Sequence, residues 1–278
     1  MNIIQLFCLL EFKKGQILEF GFEDYIRIEK KINFEKKINS EIDTNTSENL
    51  ILALKEYKEE FLFVLSNRIL FNFFTHNNLA RNHFQNYNLT ISEEKMKQFI
   101  GLFLADDLIS FFILKLSKTS YDDLEELDLL LGLKRYFPEE VIYKITPSVF
   151  YKLDFAISKL STLDEKAHIG IYYIEFKSFY DLLSHFATIE LDRKVSNFLS
   201  LVVDFYKKNV NYLFYNSVIK SMGNYNAVNG TLNETLIKNR DALSVSRQKT
   251  ELEGEYSALH AFIFVMCILM PLILSKCS

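Results

Sequence analysis

A chain of 278 residues, 49% hydrophobic and 24% charged, can bury a substantial core and does not have the composition of a disordered protein. Its net charge of −4 gives no basic footprint, which argues against nucleic-acid binding. Three Cys (Cys8, Cys267 and Cys277), two of them in or beside an apolar tail, do not form a disulfide framework and fit a reducing, cytosolic compartment.

The first third reads as β structure. Ile3 to Phe12 and Ile17 to Phe22 flank Lys13-Lys14-Gly15-Gln16, a short turn with the Gly that tight hairpins need. No Lys or Arg precedes the apolar run Met1 to Leu10 and a basic pair follows it, the reverse of a secretory signal. Ile26, Ile28, Ile32, Phe34 and Ile38 all fall on even positions, with polar residues at the odd ones from Arg27 to Asn39. Period two favours one or two half-buried strands, although the Lys and Glu content leaves a helix open. Ser40 to Asn49 reads as a surface loop, and Leu50 to Leu54, Phe61 to Leu65 and Ile69 to Phe74 as further strands.

After about residue 90 the pattern turns helical. Thr90 to Leu116 is strongly apolar, interrupted by Asp106 and Asp107, and reads as one buried helix or a pair. Ser120 with Asp123 opens a helix to Leu133, and Pro138 suits the first turn of a short one. Val149, Phe150, Leu153, Ile157 and Leu160 mark a helix by three- and four-residue spacing. Ile169 to Phe176 is an isolated strand or the start of the next helix. Leu191, Val195, Phe198, Val202 and Phe205 define a long amphipathic helix, and Gly223 to Gly230 breaks the pattern. A polar helix from about Thr231 to Glu255 then reads as a stalk.

The tail carries the largest inference. Tyr256 to Ser275 is uncharged over 20 residues, which at 1.5 Å per residue spans roughly 30 Å, the thickness of a hydrocarbon core. The residues expected to form the membrane anchor are Ala261, Phe262, Ile263, Phe264, Val265, Met266, Ile268, Leu269, Met270, Leu272, Ile273 and Leu274. Arg240, Arg247 and Lys249 lie before it and only Lys276 beyond, which places the N-terminal body in the cytosol. The expected partner is a lipid bilayer, and the short apolar span suits the endoplasmic reticulum or another thin internal membrane.

The expected organisation is therefore α+β: an N-terminal antiparallel sheet, a mostly helical region and a C-terminal transmembrane helix. Its segments are a β-rich domain at 1–76, a helical domain at 77–222, a hinge and stalk at 223–256 and a tail anchor at 257–275.

Chemistry is hard to find. His76 and His83 lie two turns apart on any helix, with no Cys or acidic residue completing a metal set. There is no nucleophile elbow, phosphate-binding Gly loop or dinucleotide fingerprint, so no cofactor is expected. Asp122-Asp123, Glu125-Glu126 and Glu139-Glu140 read as helix-start or solvated charges. Asp106-Asp107, set in apolar sequence, is the one pair resembling a buried site, with a helix boundary as its plainer reading.

IIQLFCLLEFKKGQILEFGF (Ile3 to Phe22) resembles the opening hairpin of longin-like domains, and LKEYKEEFLFVLSNRILFNFF (Leu54 to Phe74) resembles their later strands. That resemblance implies a role in membrane trafficking, since such domains occur in trafficking SNAREs, in the signal-recognition-particle receptor and in Rab exchange factors. The expectation is a tail-anchored, non-enzymatic adaptor whose body binds a protein partner. The alternatives are a structural subunit of a membrane complex, marked by an exposed aromatic face, and a membrane-linked enzyme or effector, marked by a pocket converging on Asp106 or His83.

Overall fold

The computed structural model describes residues 1–76, 87, 89–162, 164, 166, 168–208 and 211–243. Every regular element among them is helical, and no strand occurs. The N-terminal sheet, and with it the longin-like hairpin, is corrected to a run of short helices. The described chain forms two compact units, Met1–Ser158 with Asp181–Phe186, and Lys159–Tyr180 with the residues from Ala187 onward.

In the first unit, local capping explains why the expected strands are helices. Asn2 opens α1 (Ile3–Leu9): its side chain accepts from the Ile4 and Gln5 amides, while the Gln5 side chain accepts from the Asn2 amide. This reciprocal box satisfies donors that a helix start otherwise leaves bare. The presumed turn at Lys13 to Gln16 instead leads into a 3-10 turn, Lys14–Glu19. Across α2 (Phe22–Glu35) and the turn that follows it the period-two pattern is coincidental: only Ile28 and Ile32, four apart, are buried, whereas Phe34 and Ile38 are 60% and 70% exposed. A strand would have buried all the even positions together.

The next three helices follow the same logic. The Asp43 carboxylate accepts from the Thr46 amide to open α3 (Thr44–Glu56), inside the segment expected to be a loop. In α4 (Lys58–Ser66), Phe61, Leu62, Val64 and Leu65 are all fully buried, so burial on every side erases the helical period. Asn67 accepts from the Ile69 and Leu70 amides to start α5 (Arg68–Thr75). Phe7 of α1 meets Phe61 of α4 edge to face at 5.2 Å, at the centre of this packing.

The helical expectations fare better. Thr90 to Leu116 is a pair of helices, α6 (Glu93–Phe103) and α7 (Ala105–Lys118), meeting at Leu104. Ser120 caps α8 (Tyr121–Leu131) through the Asp123 amide. Pro138 precedes not a short helix but α9 (Glu139–Ser161), 23 residues long and continuous through Pro147. The run from Ile169 contains a 3-10 turn, Tyr172–Glu175, ahead of α10 (Lys177–Ser184).

In the second unit, α11 (Ile189–Lys207) buries all five residues of its expected stripe. The chain reverses at Asn211, whose φ of 44° is left-handed, and α12 (Tyr212–Met222) packs back along α11 with Phe205 stacked on Tyr215 at 5.0 Å. Residues 230–243 form α13, in which Leu236 is only 1% exposed. Asp192 of α11 holds the intervening turn, accepting from the Tyr225 hydroxyl at 2.7 Å and the Asn229 amide at 2.6 Å.

The single-pass, tail-anchored placement in an internal membrane is also corrected. Among the described residues no helix is long and apolar enough to cross a membrane. The segment at 257–275 that carried the expectation, Ala261 to Leu274 included, lies outside the described residues.

Candidate interaction surface

Helix α9 presents two opposite faces. Val141, Ile145, Val149, Leu153 and Ala156 recur every three or four residues and are each at most 1% exposed, forming the buried stripe. Diametrically across the helix run Lys144, Pro147, Tyr151 and Asp154, again spaced three and four, with Tyr143 and Phe155 at the margins. Tyr143 is 79% and Tyr151 63% exposed, Lys144 and Pro147 are exposed, and Asp154 and Phe155 are half-buried.

The geometry of this face is ordered by local contacts. Tyr151 and Phe155, one turn apart, stack with ring centroids 6.2 Å apart and planes 29° from parallel. Lys144 Nζ donates to Glu140 Oε1 at 2.7 Å. That hydrogen bond raises the Lys144 pKa, to which the Asp106 charge adds, and it lowers the pKa of the Glu140 carboxyl. Pro147 has no N–H, so the Tyr143 carbonyl one turn earlier loses its helical donor. Because both residues lie on the exposed face, water can take the place of that donor.

Asp106 and Asp107 occupy the first turn of α7, at a helix boundary. They line a polar cavity of about 180 Å³ with Asn2, Asn45, Thr46 and Asn49. Burial raises the Asp107 pKa, against a smaller opposing effect from the N-terminal amine, and the charge of Asp106 adds a lesser upward push. Two of the other polar groups have structural partners. Asn2 caps α1 and donates to the Phe74 carbonyl, and the single Thr46 hydroxyl proton is shared between the Asp43 carboxylate and the Met1 carbonyl.

The other flagged residues are separated. His76 ends α5 in a left-handed conformation, its ring 4.0 Å from that of Phe111, and its pKa is lowered by burial first and then by Lys115 and Lys118. His83 and Arg81 lie outside the described residues. Asp123 and Glu126 of α8 are held by Lys115 at 3.4 and 2.6 Å, and Glu139 and Glu140 occupy the first turn of α9. No group of three His, Cys, Asp or Glu side chains among the described residues could hold a metal ion.

The α9 face was not foreseen from the sequence. Its signal was available in the four-residue row Tyr143, Pro147, Tyr151 and Phe155, set opposite the apolar stripe. No family model, curated protein or solved structure matches the chain.

Proposed function

We propose that this chain is a non-enzymatic protein-interaction module, an adaptor or structural subunit that docks on a partner through the outer face of α9. One observation carries the reading: Tyr143 and Tyr151 stand 79% and 63% exposed, beside Pro147, on the longest helix among the described residues. Tyrosine is enriched where proteins meet, because it offers a large apolar body and a polar tip with few rotatable bonds. The exposed aromatic face favours this reading over the catalytic one, whose cavity at Asp106 is lined in part by groups already engaged in helix capping.

Photo-crosslinking tests the proposal. A benzoylphenylalanine introduced at Tyr143 or Tyr151 is expected to give discrete protein adducts, whereas one at exposed Glu125 on α8 gives none. The Tyr143→Ala/Tyr151→Ala double variant should compete poorly for the same partner. Equal background labelling from all three positions would refute the reading.

A further inference from the structure

We infer that the partner of this face is a second copy of the same chain, laid antiparallel along α9 about a two-fold axis at the level of residue 149. The inference rests on the interaction reading above and specifies its occupant.

Register and charge on this face point to a second copy. Lys144, Pro147, Tyr151 and Asp154 follow the three-four spacing of a helix-pairing seam. About a midpoint at 149, position 144 faces 154 and position 147 faces 151. A two-fold antiparallel pairing therefore sets Lys144 against Asp154 of the other copy at both ends, and Pro147 against Tyr151 in both central layers. Tyr143 and Phe155 cover the margins. In a parallel pairing every layer would meet itself, placing Lys144 on Lys144 and Asp154 on Asp154. Like charges at both ends disfavour that arrangement, so the sequence of the face selects one orientation. Isologous contacts of this kind, in which one surface is its own complement, are the commonest route to a dimer.

The surface available sets the strength. Taking about 200 Å² for a whole Tyr side chain, the exposures of 79% and 63% give roughly 280 Å² of tyrosine surface per copy. A standard interface uses about 800 Å² per partner. The two tyrosines therefore supply about a third of a standard partner surface, and association is to be sought between about 10 µM and 1 mM.

Sedimentation of the whole chain over that range, with charge swaps, tests the inference. The native chain is expected to self-associate. Lys144→Glu alone and Asp154→Lys alone should each weaken the dimer by about tenfold or more, since each sets like charges together twice. Mixing the two variants restores opposite charges in both end layers and should restore association. A mixture of Pro147→Cys and Tyr151→Cys chains, both in a background with Cys8, Cys267 and Cys277 changed to Ser, should crosslink more readily than either alone. Thermal melts by circular dichroism confirm that each variant is folded.

A native chain that stays monomeric to 1 mM, or charge variants that fail to recover on mixing, would overturn the second-copy inference. If Tyr151 photo-crosslinks to a different protein in that case, the interaction reading survives without it. If it crosslinks to nothing, both fall.

Discussion

Removing the Asp192 carboxylate is expected to cost the second unit far more than neutralising it. Asp192 is 3% exposed and accepts two hydrogen bonds, from the Tyr225 hydroxyl at 2.7 Å and the Asn229 amide at 2.6 Å. Bonds to a charged group contribute about 1.5–3 kcal/mol each. Asp192→Ala loses both and leaves two donors without an acceptor, so about 3–5 kcal/mol is expected, short of a simple sum because the two bonds share a partner. Asp192→Asn behaves differently. Its amide oxygen can still accept from Asn229, and its NH₂ can donate to the Tyr225 oxygen once that hydroxyl rotates, so only the charge assistance is lost, about 1–2 kcal/mol. Burial first, and then the bond to Asp192, raise the Tyr225 pKa above its ordinary value of 10.0. A raised folded pKa means that this contribution is intact below about pH 10 and lost as pH rises through the folded value. The chain has no Trp, so urea unfolding should be followed by far-UV circular dichroism, with hydrogen exchange at the Asn229 amide as the local probe. Asp192→Ala costing under about 1 kcal/mol, with Asn229 still protected, would refute the reasoning.

Three further expectations test the fold and its titrating groups. Ile28→Ala should cost about 2–5 kcal/mol by opening the core, whereas Ile26→Ala or Phe34→Ala should cost under about 1 kcal/mol. Equal losses at all three, measured by chemical unfolding, would restore the strand. Asp43→Ala should cost about 1 kcal/mol through loss of the α3 cap. The Thr46 amide bond lowers the Asp43 pKa below 3.8, so this contribution is present above that pH and lost as pH falls through the folded value. The stability difference between native and variant chains should therefore vanish in acid. The pKa of Cys8 is raised to about 11 by burial, against a smaller opposing effect from Lys14, leaving roughly one thiolate in ten thousand at pH 7. Peptide mapping after brief iodoacetamide treatment should find half-buried Cys8 labelled far more slowly than a free thiol, and labelling at the free-thiol rate would contradict the raised pKa.

The sequence made some elements plain and concealed others for identifiable reasons. In α11 the apolar residues recur at helical spacing with polar residues between them, because one face of that helix is buried and the other exposed, and all five were legible. In α4 five consecutive apolar residues, Phe61 to Leu65, carry no period at all, since the helix is covered nearly all round. A run that short fits a buried strand equally well. The tie could have been broken by the caps: Asn2 with Gln5, Asp43 ahead of Thr46, and Asn67 two and three residues before Ile69 and Leu70 are helix-start signals. Through α2 and on to Ile38 the alternation held, yet it carried no information about burial, because exposed Phe34 and buried Ile32 look alike in a list of apolar residues.

Pro147 lies at the centre of the interaction face and bears most directly on its meaning. The expected short helix after Pro138 and the second one marked from Val149 leave Pro147 between them, which cuts the seam through its middle, whereas α9 runs through it unbroken. The helix continues because the missing N–H and the carbonyl it would have served both lie on the exposed side. Tolerance is not the same as benefit. Ala at this position is expected to stabilise the isolated chain by about 1–3 kcal/mol, since it restores the bond and removes the ring clash. If the outer face is merely solvated, Pro147→Ala should stabilise the chain and change nothing else. If the face pairs as argued, the same substitution should raise thermal stability while weakening association, because the ring that packs on Tyr151 of the other copy is gone. Stability and association moving in opposite directions separate a functional face from an inert one, and a gain in stability with association unchanged would remove Pro147 from the seam.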